Sequence, residues 1–312
     1  MIKEDFAVIV PAFNEGPVIP ELINELREAF TLHDLKGEVI LVDDGSDDGT
    51  AQMAEEVAQG WDALKIVQHQ KNLGKTESML TGANTTSKNY LVLFDADLQH
   101  SPNEIPRFLD KLAEGWDIVT GCKVGAYRKQ TVSTIYNRLS RKIFNVPVSD
   151  LNSMKAFRKD ILGPLTLRHD WHRFFVVLAY ARGATVTEID IDLYPRRAGI
   201  SKYQSKFRVL VGLLDLVSVG FLLMFSRKPL LLFGISGLTL AALGTIVAVV
   251  SGYLRFLHPY LGFEAYIPPF GYRPLLYLVM LLETLGFLLI GFGLVSEQIA
   301  QLRDDLDNLR KQ

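Results

Sequence analysis

Two aspartates that directly follow an apolar run have the spacing of a metal-binding pair. Asp95 and Asp97 come after residues 90–94 (YLVLF), a run typical of a buried strand. In an open α/β sheet, ligands bind at the carboxyl ends of the strands. Carboxylates this close repel each other unless a cation lies between them, and oxygen ligands suit Mg²⁺ or Mn²⁺ carrying phosphates. The alternative is that one aspartate caps the next helix and the other is solvated.

Two further polar segments follow predicted strands. Residues 11–15 (PAFNE) come after the first apolar run, and residues 42–46 (VDDGS) end the second. Each alone is an ordinary turn sequence. Three strands that end in polar or acidic loops, in this order, predict one composite site for a nucleotide and a metal ion.

Short β-rich runs alternate with helical patterns over the first two thirds of the chain. This alternation predicts a Rossmann-like, mostly parallel sheet with helices on both faces. The predicted strands are 6–10, 38–42, 64–68, 90–94 and 117–120, and the predicted helices lie near 17–30, 50–59, 75–86 and 102–114.

Composition narrows the function classes. The 312-residue chain has a formal net charge of −2, so no general basic character points to nucleic acid. The single cysteine, Cys122, excludes an internal disulfide.

The apolar runs in the carboxyl-terminal third of the chain predict a membrane region. Residues 229–254 contain no charged side chain and residues 274–296 contain only Glu283, and each run exceeds the roughly 20 residues that span a bilayer. The apolar stretch 206–225 carries Arg208 and Asp215, which favours a helix lying along the membrane surface.

Basic residues on either side of the two runs predict the orientation. Positive side chains favour the cytoplasmic face, and they precede the first span and follow the second: Lys202, Lys206, Arg208, Arg227, Lys228, Arg303, Arg310 and Lys311. We therefore expect a cytoplasmic catalytic domain over 1–204, an interfacial amphipathic helix over 205–228, two spans joined by a short non-cytoplasmic loop within 229–296, and a cytoplasmic helical tail over 297–312.

Glu283 is an ionisable residue near the middle of the second predicted span, where an ionised carboxylate is costly. Two interpretations stay open: a protonated carboxyl group, or pairing with a neighbouring subunit of a homo-oligomer.

The three loop motifs together resemble those of the family 2 glycosyltransferases, which have the GT-A fold. With its two trailing spans, the chain is most similar to the dolichol-phosphate mannosyltransferases and polyprenyl-phosphate glycosyltransferases. The resemblance implies that Asp95, Asp97 and Gln99 hold Mg²⁺ or Mn²⁺, with Asp97 also catalytic. It further implies a nucleotide-sugar pocket lined by Pro11, Ala12, Phe13, Asn14, Glu15, Asp43, Asp44, Gly45, Ser46, Asp95 and Ala96. Phe13 stands where relatives often have Tyr.

A cationic motif follows, Arg196-Arg-Ala-Gly-Ile-Ser-Lys202, which matches the family's Arg-x-x-Gly-x-Ser-Lys pattern. A guanidinium, a hydroxyl and an ammonium group can stabilise the charge on a departing nucleotide diphosphate. We therefore expect catalytic roles for Arg196 and Lys202, with Ser201 at the donor. The alternative is a basic patch that contacts anionic lipid head groups.

Lys75 lies in a segment that superficially resembles a P-loop, residues 72–76 (NLGKT). That motif requires a glycine five positions before Gly74, and residue 69 is His, so the P-loop interpretation is rejected. The resemblance instead makes Lys75 a cation on the donor side.

A basic stretch, 121–152, is the expected acceptor region. A solvated helix face explains part of it, and a clamp for the acceptor's phosphate explains the rest: Lys123, Arg128, Asn137, Arg138 and Arg141. Lys123 matches a family arginine in position, but lysine cannot make a bidentate contact. Asp150 occupies the position of a base, and we expect it to orient groups rather than to abstract a proton.

The sequence therefore predicts a membrane-bound, inverting transferase that moves a sugar from a UDP- or GDP-linked donor onto undecaprenyl or dolichyl phosphate. One alternative is a polysaccharide synthase, although the Gln-x-x-Arg-Trp motif of that group does not occur. The other is a non-enzymatic, nucleotide-sugar-binding membrane protein.

Overall fold

The computed structural model describes residues 2–124, 144, 146–151, 153–165, 167–168, 171–195, 214–221, 223, 228–263 and 271–309. The chain divides into two compact units, Met1–Leu216 and Val217–Gln312. Seven of the predicted site residues lie outside the described residues: Arg128, Asn137, Arg138, Arg141, Arg196, Ser201 and Lys202.

The first unit is built on one sheet. Among the described residues its strands are β1 (Phe6–Ala12), β2 (Glu38–Asp43), β3 (Leu64–Gln68), β4 (Tyr90–Leu93), β5 (Ile118–Val124), β6 (Lys155–Arg158) and β7 (Val186–Asp192). They lie in the order β3-β2-β1-β4-β6-β5-β7. β1 pairs in parallel with both β2 and β4, so the strand order reverses direction at β1. The five predicted strands are all present.

The helices of this unit are α1 (Ile19–Leu32), α2 (Thr50–Val57), α3 (Lys75–Thr85), α4 (Ile105–Ala113) and α5 (Phe175–Ala181), with 3₁₀ turns at Ile2–Glu4, Pro102–Glu104, Lys159–Ile161 and Trp171–Arg173. α1 shows why they pack. Its buried residues Ile19, Leu22, Ile23 and Leu26 recur at helical spacing and form one apolar stripe against the sheet.

The sheet is mixed rather than wholly parallel. β6 runs antiparallel to both β4 and β5, whereas β7 pairs in parallel with β5. Sequence analysis did not detect β6, β7 or α5. β6 has only four residues, two of them basic, so neither length nor hydropathy separates it from a loop.

The second unit holds two long apolar helices. α6 (Pro229–Gly252) continues through a π-helical turn, Tyr253–Leu257, into His258–Tyr260, and α7 spans Arg273–Leu309. Both helices are long and apolar enough to cross a membrane. Residues 214–221, within the expected interfacial segment, are also helical.

Small residues let α6 and α7 approach closely. A Cβ atom added to Gly237 would lie 2.6 Å from the carbonyl oxygen of Gly286, and one added to Gly286 would lie 2.8 Å from that of Gly237. Without water to drive apolar association, such close packing is a main source of attraction between helices in lipid.

Glu283 has a partner within this pair. The Thr245 hydroxyl donates to its Oε1 over 2.9 Å, and a Cβ added to Gly244 would lie 3.1 Å from the same oxygen. This hydrogen bond within the chain is a third interpretation of Glu283, beside protonation and pairing with a neighbouring subunit.

The close approach of α6 and α7 predicts a selective effect of side-chain size. Gly286→Val should lower the free energy of unfolding by about 1–3 kcal/mol, because the added methyl groups have no space. Thermal unfolding of the full-length protein in detergent measures this.

Gly291→Val is the matched control, because a Cβ at Gly291 meets no atom within 4 Å. Equal melting temperatures for the two variants would contradict the packing described.

Candidate active site

The topology gathers the predicted motifs at one edge of the sheet. The carboxyl ends of β1, β2 and β4 share this edge because the three strands are parallel. β5 and β7 also end there, whereas antiparallel β6 begins there. Segments before β6 and after β5 therefore reach the same edge as the loops after β1, β2 and β4.

The loops after β1 and β2 are tied to each other. The Asn14 amide donates to Ser46 Oγ over 2.9 Å, and Asn14 Oδ1 accepts from the Asp47 amide over 3.0 Å. The Glu15 amide donates to Thr50 Oγ1 over 3.1 Å. Pro11 and Ala12 lie in β1 itself, and Phe13 begins the loop. This network gives the predicted nucleotide pocket a defined wall.

Asp43 is fully buried and shapes the turn that follows it. Its Oδ1 accepts from the amide and the hydroxyl of Ser46, and its Oδ2 accepts from Gln68 Nε2 over 3.1 Å. Gly45 has a φ of 73°, and a Cβ there would lie 2.6 Å from the carbonyl carbon of Lys71. Only glycine fits this turn without strain.

Asp44 organises a different loop. Its Oδ1 accepts from the Leu73 amide over 2.9 Å and from His69 Nδ1 over 2.8 Å, while Oδ2 accepts from the Gly74 amide over 2.8 Å. Both oxygens of Asp44 thus hold residues 69–74, the segment that leads into Lys75 at the start of α3. Asp43 and Asp44, which the sequence assigned to one pocket, thus accept hydrogen bonds from different segments.

An open pocket lies beside these turns, lined by Gly45, Ser46, Gln68, His69 and Gln70. Its lining offers amide, hydroxyl and imidazole groups. Such groups recognise the hydrogen-bonding edge of a polar ring.

Asp95, Ala96, Asp97 and Gln99 follow β4 as predicted. Asp97 is 9 % exposed and its Oδ1 accepts from the Gln99 amide over 3.2 Å. The Gln99 carbonyl accepts from the Tyr194 amide over 2.9 Å, which ties this loop to the chain after β7. Asp95, Asp97 and Gln99 offer oxygen ligands, the type that Mg²⁺ and Mn²⁺ prefer.

Lys75 and Asp95 form an ion pair at this edge. Partial burial alone would raise the pKa of the Asp95 carboxyl group, but the charge and hydrogen bond of Lys75, with a smaller effect of Lys155, hold it well below its usual range. Asp95 is therefore ionised at neutral pH, the state in which a carboxylate binds a metal ion.

A second ion pair lies on the acceptor side. Lys123 Nζ is 3.5 Å from Asp150 Oδ2, and both side chains are largely buried. The pair joins the end of β5 to the segment before β6. Two residues that the sequence assigned to acceptor binding and to catalysis are thus brought together.

Three buried residues near this edge were not among the predicted site residues. Lys155 is 2 % exposed, and burial together with the charge of Lys75 lowers its pKa to about 8, against the attraction of Asp95 and Asp150. Burial, with the charge of Lys123, lowers the pKa of His100. Burial, with the charge of Lys75, lowers the pKa of His172, whose amide donates to Thr76 Oγ1 over 3.1 Å.

Known proteins match both the sequence and the fold. The sequence profile of glycosyl transferase family 2 matches residues 7–181. The dodecaprenyl-phosphate galacturonate synthase of Rhizobium johnstonii is 31 % identical, in an alignment that covers 96 % of this chain and 90 % of the relative. The undecaprenyl-phosphate 4-deoxy-4-formamido-L-arabinose transferase of Klebsiella pneumoniae is 28 % identical, in an alignment that covers 96 % of this chain and 89 % of that relative.

A solved structure shares the fold. Glucosyl-3-phosphoglycerate synthase of Mycobacterium tuberculosis, solved with Mn²⁺, UDP and glucosyl-3-phosphoglycerate, gives a TM-score of 0.56 at 20 % identity and covers 68 % of this chain and 80 % of that chain. The mixed α/β sheet is of the GT-A type. The chain belongs to glycosyl transferase family 2 and is a glycosyltransferase.

The Lys75–Asp95 ion pair predicts competition between a lysine and a metal ion for one carboxylate. Lys75→Met should tighten Mn²⁺ binding in the absence of nucleotide by roughly tenfold, the order of the effect that one neighbouring charge has on a carboxylate. Titration of the full-length protein, with free Mn²⁺ read by electron paramagnetic resonance, measures this affinity.

Lys88→Met serves as the control, since the Lys88 ammonium group donates to the Glu4 carbonyl instead of to a carboxylate at the active edge. An Mn²⁺ affinity that is the same in Lys75→Met and in the wild type would show that the pair does not compete with the ion.

Proposed function

We propose that this glycosyltransferase moves a sugar from a UDP- or GDP-linked donor onto a polyprenyl phosphate at a membrane. The observation that carries the proposal is the extent of the similarity. Two relatives, one named for dodecaprenyl phosphate and one for undecaprenyl phosphate, align with 96 % of the chain, a span that reaches beyond the sheet domain into the apolar helices.

The donor's nucleotide would lie along the loops after β1 and β2, beside the open pocket lined by Gly45, Ser46 and His69. We assign Pro11, Ala12, Phe13, Asn14 and Glu15 to one side of the nucleotide and Asp43, Gly45 and Ser46 to the other. We assign Asp44 an indirect part, because its oxygens hold the loop that presents Lys75. Lys75 is then placed to contact the donor's phosphates, next to Asp95 and Ala96.

A divalent cation fits the chemistry of the loop after β4. Asp95, Asp97 and Gln99 would hold Mg²⁺ or Mn²⁺, which when bound neutralises charge on the donor diphosphate. Among the described residues, no three His, Cys, Asp or Glu side chains gather as a complete cage. Mg²⁺ commonly takes one or two carboxylates and completes its shell with phosphate and water.

The acceptor chemistry needs cations more than a strong base. A phosphate monoester has a second pKa near 6, so a prenyl phosphate is already mostly ionised at neutral pH. Its oxygen can attack the anomeric carbon from the face opposite the departing diphosphate, with inversion. Lys123 would hold the acceptor phosphate, and Asp150, which pairs with Lys123, would orient it.

The remaining cationic roles rest on the family resemblance. Arg196, Ser201 and Lys202 are assigned to the departing diphosphate. Arg128, Asn137, Arg138 and Arg141 are assigned to the acceptor phosphate.

The proposed orientation in the membrane rests on the distribution of lysines and arginines on either side of the two apolar runs. We assign residues 1–204 to a cytoplasmic catalytic domain, 205–228 to an interfacial helix, 229–296 to two spans and 297–312 to a cytoplasmic tail. A nucleotide sugar made in the cytoplasm and a prenyl phosphate held in the bilayer could then meet at the inner face.

Transfer to a prenyl phosphate tests the function directly. The purified full-length protein, given Mn²⁺, a panel of UDP- and GDP-sugars and a short prenyl phosphate, should form one prenyl-phosphate sugar, detected by mass spectrometry. Asp97→Asn should lower kcat/KM at least about 100-fold, roughly 2.7 kcal/mol of transition-state stabilisation, because it removes a charged metal ligand. EDTA should abolish transfer, and added Mn²⁺ should restore it.

Asp110→Asn, on the exposed side of α4, is the control and should retain full activity. Binding of UDP and Mn²⁺ without transfer to any prenyl phosphate would favour the non-enzymatic alternative. Growth of a polymer from the nucleotide sugar alone would favour the polysaccharide synthase.

The proposed orientation predicts a labelling pattern. A cysteine introduced at His258 in a Cys122→Ser background should react with an impermeant thiol reagent in intact cells, whereas one at Gln312 should react only after lysis. The reverse pattern would place the catalytic domain outside and would rule out a cytoplasmic donor.

A further inference from the structure

Lys155 is a charged side chain buried inside the sheet. Its Cα is paired with Leu93 of β4 on one side and with Thr120 of β5 on the other. The residue is 2 % exposed. A buried ammonium group is costly unless hydrogen bonds and opposite charges compensate it. A lysine retained at a central position of the sheet therefore calls for a reason.

The side chain of Lys155 donates hydrogen bonds to the segment that carries Asp150. Nζ donates to the Ser153 carbonyl over 2.8 Å and to the Leu151 carbonyl over 3.3 Å. Both carbonyls follow Asp150 within three residues. The ammonium group thus fixes the backbone of the turn from which Asp150 reaches Lys123.

The charges around Lys155 come from both halves of the site. Asp95, on the donor side, and Asp150, on the acceptor side, attract its ammonium group, whereas Lys75 and Lys123 repel it. Each acid has its own lysine partner at the edge of the sheet. Lys155 interacts electrostatically with both pairs from within the sheet.

We propose that Lys155 is a positioning residue for transfer, which holds the Asp150 turn in place and fixes the Lys123–Asp150 pair relative to the loop that carries Asp95. This inference rests on the proposed function. It assigns no contact with substrate to Lys155. The consequence is that loss of its ammonium group should impair turnover while the donor still binds.

The test compares two lysines that both donate to backbone carbonyls: Lys155 is the first residue of β6, and Lys159 directly follows this strand. Lys155→Met keeps the apolar stem and removes the ammonium group. Lys159→Met is the matched control: Lys159 Nζ donates to the Thr86 carbonyl, and its amide pairs with Asn89 before β4, at the opposite edge of the sheet. Full-length proteins are assayed for UDP binding with Mn²⁺ and for transfer to a short prenyl phosphate.

Lys155→Met should lower kcat at least about tenfold, because misplacement of a positioning group by 1 Å can cost about 100-fold. Its UDP affinity with Mn²⁺ should stay within about threefold of the wild type, because its side-chain hydrogen bonds go to the Asp150 turn and its effect on Asp95 is smaller than that of Lys75. Lys159→Met should match the wild type in both assays.

A double-mutant cycle tests whether Lys155 acts through the Asp150 turn. If Lys155 acts through the Asp150 turn, Asp150→Asn should cost less in the Lys155→Met background than in the wild type. Multiplicative losses would overturn the proposal, and so would a kcat of Lys155→Met equal to that of Lys159→Met.

Folding is checked by thermal unfolding. If Lys155→Met does not unfold cooperatively, Lys155→Leu, which also removes the ammonium group, takes its place with the same expected results. Failure of both variants to fold would overturn the proposal in favour of a purely structural lysine. Wild-type protein that binds UDP and Mn²⁺ but transfers no sugar to prenyl phosphate would instead contradict the proposed function.

Discussion

Carboxylates can gather at the active edge of this sheet only because lysines lie among them. Asp95 pairs with Lys75, Asp150 pairs with Lys123, and buried Lys155 is attracted by both acids. Acids packed together without such partners would repel one another and take up protons. The alternation of charge keeps Asp95 ionised and holds together loops that arise from distant parts of the chain. The site thus contains paired positive and negative side chains before any ligand binds. Both ligands that we propose for it are anionic.

The elements that could be predicted from the sequence are the alternating strands and helices of the first unit. β1 to β5 are runs rich in apolar residues that polar loops follow, and α1 and α4 between them show apolar stripes, so the hydrophobic period and the turn residues are enough to predict them. β6 lacks such a signal, since its identity as a strand depends on pairing with β4 and β5 on either side. Pairing between distant segments is a property of the folded chain. The antiparallel strand could not be predicted for that reason.

The sequence predicted where candidate side chains lie, but not which segment each of them contacts. The spacing of Asp95 and Asp97 places both after one strand, as the structure shows. Asp43 and Asp44 look equivalent in sequence, yet their oxygens hold different segments, Ser46 and Gln68 in one case and residues 69–74 in the other. Successive side chains at a strand end point in opposite directions, so neighbours serve different loops. Lys155 escaped notice because a lysine signals exposure unless its strand is known.

The reversal between β5 and β6 has a consequence for how the family can diversify. Because β5 ends at the active edge and β6 begins there, the intervening chain leaves and re-enters the sheet at the same place. Such an excursion can lengthen, shorten or be exchanged without altering the register of any strand, and closing a longer loop costs little extra entropy. Under the acceptor assignment that we propose, exchange of this stretch between related enzymes would change the acceptor preference and leave the donor side unchanged.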